Sequence, residues 1–123
     1  EEYFKALIKI YRLSEEDLQL HLDKFADFFN GEILGTKKYI RDLSKGNIKK
    51  VGIAAALLGK PEAVLLDEPF EGVAPVLAQR LVDVLVKLKE EGLSVLLSES
   101  DASHSSNLVD RLYIIERGKI ELG

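Results

Sequence analysis

The sequence contains no cysteine, no methionine and no tryptophan among its 123 residues. Without cysteine there can be no disulfide scaffold, thiolate metal site or cysteine nucleophile. An excess of positive charge is missing too: 17 basic against 21 acidic residues leave a net charge of −4. No positive field gathers phosphate backbones, so nucleic acid is not an expected partner. The longest apolar run, Val51 to Gly59, is nine residues, about half of a bilayer crossing. No signal-peptide pattern opens the chain, which reads as cytosolic. Its start at Glu1, with no methionine anywhere, reads as that of a fragment or trimmed chain. What is present is an ordinary globular mixture, 46% hydrophobic and 31% charged. That is enough for one well-filled core and short of two domains.

The two ends differ in character. Residues 1–59 read as helical, whereas residues 60–123 alternate strand and helix. Tyr3, Phe4, Leu7, Ile8 and Tyr11 make a short apolar helix that stops before Ser14. Ser14 and Asp17 then stand in capping-box spacing. Behind them Leu18, Leu22, Phe25 and Phe29 mark one face of a second helix, with Gly31 as its stop. A weak third helix is expected from Lys37 to Asp42. An Ala-rich helix follows from Ile48 to Leu58, with Gly52, Ala54, Ala55 and Ala56 small enough to pack close to a sheet.

Three strands are expected, at Ala63–Leu66, Ser94–Ser98 and Leu112–Glu116. An amphipathic helix carrying Leu77, Leu81, Val84 or Leu85, and Leu88 joins the first two and stops at Gly92. A short helix at Ala102–Val109 joins the last two. Glu116-Arg117-Gly118-Lys119 turns the chain into a hairpin with Ile120–Leu122. Strand–helix–strand at this spacing means a parallel sheet with right-handed crossovers. The fold class is α/β with a helical annex.

Chemistry concentrates in Ala63-Val64-Leu65-Leu66-Asp67-Glu68-Pro69, an apolar strand ending in two carboxylates that Pro69 terminates. Ligands of open parallel sheets collect outside the carboxyl ends of strands, where Asp67 and Glu68 fall. One carboxylate there can hold Mg²⁺, directly or through its waters, while its neighbour orients or deprotonates a water. Taken alone, the string is equally a strand running into an acidic surface loop. Upstream, Leu43-Ser44-Lys45-Gly46-Asn47 opens a helix. Its amides, the Ser44 hydroxyl and a glycine permitting close approach suit an anion. Alone, such a segment is an ordinary helix cap.

In this order, the two segments resemble the C-terminal half of an ABC-type ATPase, the nucleotide-binding domain of ABC transporters. Leu43, Ser44, Lys45, Gly46 and Asn47 stand where that family carries its LSGGQ signature. Ala63–Asp67 is similar to Walker B, Glu68 to the catalytic carboxylate, and Glu71-Gly72-Val73-Ala74-Pro75 to the D-loop. Asp110-Arg111, Tyr113–Ile115 and Arg117–Lys119 resemble the closing strand and hairpin. The likeness runs from Glu1 to Gly123 and is strongest from Leu43 onward.

The resemblance implies a P-loop NTPase-like α/β core in residues 60–123 and a helical subdomain with the signature helix in residues 1–59. It implies ATP and Mg²⁺ as ligands. The nucleotide lies between two domains, with Ser44 and Gly46 reaching the γ-phosphate held by the opposing subunit. Asp67 would hold Mg²⁺ through water and Glu68 would polarise the attacking water, in a phosphoryl transfer run by positioning and charge. The implied partners are transmembrane permease subunits and a second ATP-binding subunit. The implied location is the cytoplasm, peripheral on the inner face of the membrane.

Several positions depart from the family's pattern. No Gly-x-x-x-x-Gly-Lys-[Ser/Thr] occurs in the chain: the stretch from Gly52 to Gly59-Lys60 has the wrong spacing, and Pro61 stands in place of the hydroxyl. The phosphate grip of a P-loop is thus missing, and the Q-loop glutamine is expected upstream. The switch position, usually histidine, is Ser100, which donates a hydrogen bond but carries no imidazolium charge. His104, one helical turn on, reads as a helix-surface residue. Ala74 replaces the D-loop aspartate, and Lys45 and Asn47 replace a glycine and a glutamine. The Glu71–Pro75 segment is similar to that of branched-chain amino-acid importer ATPases, whereas the signature helix is more like exporter types, as in a chimera joined near Gly59.

Lacking the P-loop strand, the sheet should be left with a slot between Ser94–Ser98 and Leu112–Glu116. Its bare edges are expected to make the chain self-associate or close the gap. Three functions fit these residues: the ATP-hydrolysing subunit of a transporter, an ABC ATPase of chromosome maintenance and repair, or a non-catalytic α/β interaction module. The short run from Leu43 to Asp67 has no room for the long coiled coils of the second. As given, without a P-loop, the chain is an uncertain enzyme; in an intact protein it would be an ATPase.

Overall fold

Helix formation starts from caps and apolar stripes that fall where the periodicity places them. In the computed structural model, which describes residues 2–29, 31, 33–35 and 38–122, α1 spans Glu2–Tyr11 and buries Phe4 and Ile8. α2 spans Glu15–Phe29 and opens on a complete capping box. Ser14 N–H donates to Asp17 Oδ2 at 3.0 Å, and Asp17 N–H donates back to Ser14 Oγ at 3.0 Å. Both amides would otherwise lack an intrahelical partner. The expected stripe of Leu18, Leu22, Phe25 and Phe29 is buried, joined by Phe28. Phe25, Phe28 and Phe29 stack within about one turn, and Phe4 closes on them at 6.4 Å from Phe29. Each such ring removed from water contributes about 2–3 kcal/mol.

The third helix is a correction: only a 3-10 turn, Ile40–Asp42, forms there, and Lys37 lies outside the described residues. α3 runs from Lys45 to Leu58, starting three residues earlier than Ile48. Ser44 is its N-cap and accepts from Asn47 N–H at 3.2 Å, so capping overrides the poor helix propensity of Gly46 and Asn47. Ala54 and Ala55 are buried, while Gly52 and Ala56 face outward. At the helix end a methyl group on Gly59 would stand 3.2 Å from the Tyr11 ring, which is why α1 can pass so close.

β1 (Ala63–Asp67) and β2 (Ser94–Ser98) pair in parallel, with Leu65 opposite Leu96 and Asp67 opposite Ser98. α4 (Pro75–Glu90) joins them and buries Ala78, Leu81, Val82 and Leu85. α2 packs against both α3 and α4, so one buried cluster runs from Phe4 to Leu108. Helices cover one face of the sheet. The other leaves Leu65 68% and Leu96 64% exposed, although parallel sheets are normally covered on both faces.

After β2, Ala102–Val109 forms successive turns rather than a helix. Ser105, Ser106 and Asn107 compete for the backbone, and the Ser105 hydroxyl donates to the Ala102 carbonyl. β3 (Tyr113–Glu116) and β4 (Lys119–Leu122) form the expected hairpin. Arg117 and Gly118, both at positive φ, make its two-residue turn. The hairpin is not hydrogen-bonded to β2. A cavity of 1080 Å³ separates them, lined by Leu93, Val95 and Leu97 on one side and Leu112, Tyr113 and Ile115 on the other. The slot is therefore present and open. Among the described residues no helix is long and apolar enough to cross a membrane.

Candidate functional site

The ends of β1 and β2 bring together Asp67, Glu68, Ser98, Glu99 and Ser100. Val64 and Leu66 face the helices, which anchors β1 and delivers Asp67 to the exposed end of the strand. There the Ser98 hydroxyl donates to Asp67 Oδ1 across the pair. Pro69 stops the ladder, and Glu68 turns out of the strand in the left-handed region at φ 47°. A non-glycine residue held there costs on the order of 1 kcal/mol and persists only where its surroundings fix it.

Four contacts fix it. Glu68 N–H extends the ladder to the Ser98 carbonyl at 2.8 Å. The Lys49 ammonium donates to the Glu68 carbonyl and, at 3.3 Å, to that of Glu71. Glu68 Oε1 accepts from Ser100 N–H at 3.0 Å, with the Ser100 hydroxyl 3.4 Å from Oε2. Glu99 Oε1 accepts from Phe70 N–H at 3.2 Å, closing the turn from the other side. Burial pushes the Glu99 carboxyl above its ordinary range, and the neighbouring Glu68 carboxyl adds to the shift. The Phe70 amide and Lys49 oppose it. At the edge of the site Asp101 is held below the usual carboxylate range by Ser103, which donates its amide at 2.9 Å.

The signature-like segment sits on the first turn of α3. Leu43, Gly46 and Asn47 are half-buried; Ser44 and Lys45 are exposed. Among the described residues no hydrogen bond joins Ser44–Asn47 to Asp67 or Glu68; Lys49, one turn on, makes the connection. In the D-loop-like segment Gly72 and Ala74 are exposed and Val73 is half-buried. Ala74 is the N-cap of α4 and, having no side-chain acceptor, leaves the cap unmade. His104 is corrected: it lies in a turn, half-buried, with its ring 5.8 Å from that of Phe70.

Lys49 and Glu99 carry contacts that sequence reasoning missed. For Glu99 a signal existed, because the strand-end rule that marked Asp67 applies equally to the residue after β2. For Lys49 there was none: it reaches the Glu68 turn only through the packing of α3.

No three metal-ligating side chains cluster among the described residues. A lone exposed carboxylate such as Asp67 does fit Mg²⁺, which keeps most of its waters and takes its remaining ligands from substrate phosphates.

The family described as "AAA domain, putative AbiEii toxin, Type IV TA system" matches residues 10–110. The high-affinity branched-chain amino acid transport ATP-binding protein BraG of Pseudomonas aeruginosa is 33% identical over 106 residues, 86% of this chain and 46% of that protein. The uncharacterized ABC transporter ATP-binding protein YhaQ of Bacillus subtilis is 34% identical over 113 residues, 92% of this chain and 38% of that protein. The chain belongs to the ABC transporter ATP-binding proteins.

An ABC cassette fold follows from solved structures as well. An ATP-binding cassette of an ABC transporter in its ADP conformation superposes with a TM-score of 0.65 at 31% identity, covering 88% of this chain and 42% of that one. The cbiO1 protein of Clostridium perfringens, part of the transporter complex cbiONQ, gives 0.64 at 27% identity, covering 89% and 44%. The ABC chain thus spans less than half the length of each of these relatives.

Proposed function

We propose that this chain is the C-terminal part of the ATP-binding subunit of an ABC transporter, powering solute transport by Mg-ATP hydrolysis at a dimer interface. The observation that carries the reading is the junction of Asp67 and Glu68 at the end of β1, tied by Lys49 to the helix of the signature-like segment. In this reading residues 1–59 are the helical subdomain and residues 60–123 the C-terminal part of the ATPase core. The subunit is peripheral on the inner face of the cell membrane. Its partners are transmembrane permease subunits and a second ATP-binding subunit.

The chain's own residues divide the chemistry. Asp67 would hold Mg²⁺ through its waters, and the ion would supply charge neutralisation at the phosphates. Glu68 accepts a hydrogen bond from the attacking water and aligns it with the γ-phosphate. Ser44 and Gly46, on the first turn of a capped helix, present hydroxyl and amide to the γ-phosphate held by the partner subunit. Ser100 offers one hydroxyl donor at the switch position. The β-phosphate grip is absent from these residues and belongs to a P-loop outside this sequence.

A degenerate domain that binds without hydrolysing is the second reading. It is favoured by Glu68 resting on the Ser100 amide and by the uncapped Ala74. The test is Glu68→Gln in the complete subunit with its permease. On the catalytic reading turnover falls by about a hundredfold or more while ATP binding persists. Unchanged turnover removes Glu68 from the mechanism.

A further inference from the structure

Two carboxylates exchange main-chain amides across the ends of the parallel pair. Glu68, one residue past β1, holds the Ser100 amide of the loop leaving β2 at 3.0 Å. Glu99, one residue past β2, holds the Phe70 amide of the loop leaving β1 at 3.2 Å. Each acid closes the other's loop, and burial together with the nearby Glu68 carboxyl holds the Glu99 carboxyl above its ordinary range. Like charges so close would ordinarily separate. Here each carboxyl is held by a main-chain amide of the opposite loop.

The Phe70 amide matters because of where it sits. It follows Pro69, which donates nothing, and the Phe70 side chain is buried against the core. Without an acceptor this half-buried N–H would be left unpaired, and the turn would gain by rearranging. A rearranged turn releases the left-handed conformation of Glu68 and swings its carboxylate.

We propose that Glu99 is the positioning residue for Glu68: as acceptor for the Phe70 amide it fixes the turn that aims the Glu68 carboxylate. The family resemblance assigns roles to Glu68 and Ser100 and none to Glu99. The inference rests on the reading of Glu68 as the water-orienting group. It requires an acceptor oxygen at position 99, not a negative charge, which separates it from a general electrostatic effect of one more acid.

The test compares Glu99→Ala, Glu99→Gln and Glu68→Gln in the complete ATP-binding subunit, reading kcat and KM for ATP. Glu99→Ala should lower kcat by about tenfold, as a misplaced catalytic group does, with KM nearly unchanged. Glu99→Gln keeps the Oε1 acceptor and should restore most of the loss. An unaffected Glu99→Ala overturns the proposal, as does an equal loss in the alanine and glutamine variants, or a rise in KM that accounts for the change. If Glu68→Gln itself leaves turnover intact, the reading of Glu68 fails first and the positioning role falls with it. A second measurement needs no turnover. Hydrogen exchange at the Phe70 amide of this chain should quicken about tenfold in Glu99→Ala while the Leu66 and Leu81 amides keep their protection. Equal exchange at Phe70 in the two proteins overturns the contact on which the proposal stands.

Discussion

The Lys49 ammonium donates to the main-chain carbonyl of Glu68, so the helix opened by the signature-like segment holds the turn that carries the strand-end acid. The same ammonium reaches the Glu71 carbonyl at 3.3 Å, and the bond bridges elements far apart in sequence. Lys49→Met keeps the aliphatic stem and leaves both carbonyls without their charged donor. It should cost about 1–2 kcal/mol, read as a lower urea midpoint at constant slope. Lys49→Arg should recover part of that loss. A midpoint unmoved in Lys49→Met would show that the bond contributes nothing to the fold.

Ala74 occupies an N-cap with extended backbone and no side chain to use it. Ala74→Asp supplies both the acceptor and a negative charge at the positive end of α4. It should stabilise the chain by about 1 kcal/mol and raise Tm by about 4 °C. A scanning calorimetry trace that does not move would mean the α4 amides are already satisfied by solvent.

His21 donates from Nε2 to the Ala54 carbonyl at 2.7 Å, between α2 and α3. Burial holds its pKa below the ordinary 6.5, and Lys24 pushes the same way against the carbonyl. The unfolded chain therefore takes up this proton first as the pH falls. Stability should be complete above 6.5 and decline below it, until the folded protein protonates as well. Urea titrations at about pH 7.5 and about pH 5.5 should show a larger drop in the parent chain than in His21→Gln. Equal drops would exonerate His21.

Leu65 and Leu96 face each other in register on the uncovered side of the sheet. Beside them lies the open slot, so the 123-residue chain should self-associate as its concentration rises. Leu65→Thr with Leu96→Thr removes the apolar face while bringing in β-branched residues suited to a strand, and should shift the sedimentation profile towards monomer. A parent chain that sediments as one monomeric species at every concentration contradicts this expectation.

Local signals were legible where one short stretch of chain decides the outcome. Ser14 and Asp17 are three residues apart, and nothing else competes for their amides. The Leu18–Phe29 stripe and the Arg117-Gly118 turn are likewise decided within a few residues. The helix α3 begins three residues before Ile48 because the Ser44 cap draws Gly46 and Asn47 into its first turn. The segment after β2 differs from its expected helix because Ser105 bonds its own backbone instead. Glu99 with Phe70, and Lys49 with Glu68, meet only because β2 lies beside β1 and α3 crosses beneath. The slot was legible through the family's likeness alone, since no local pattern announces a missing strand.

The distribution of aromatic rings has an optical consequence. Four of the phenylalanines gather between α1 and α2, while Phe70 stands apart beside His104 at the strand ends. With no native indole to compete, a single Phe70→Trp substitution would place one fluorophore on the turn between Glu68 and Glu71. Its emission would report that turn alone, silent to whatever the helical half of the molecule does.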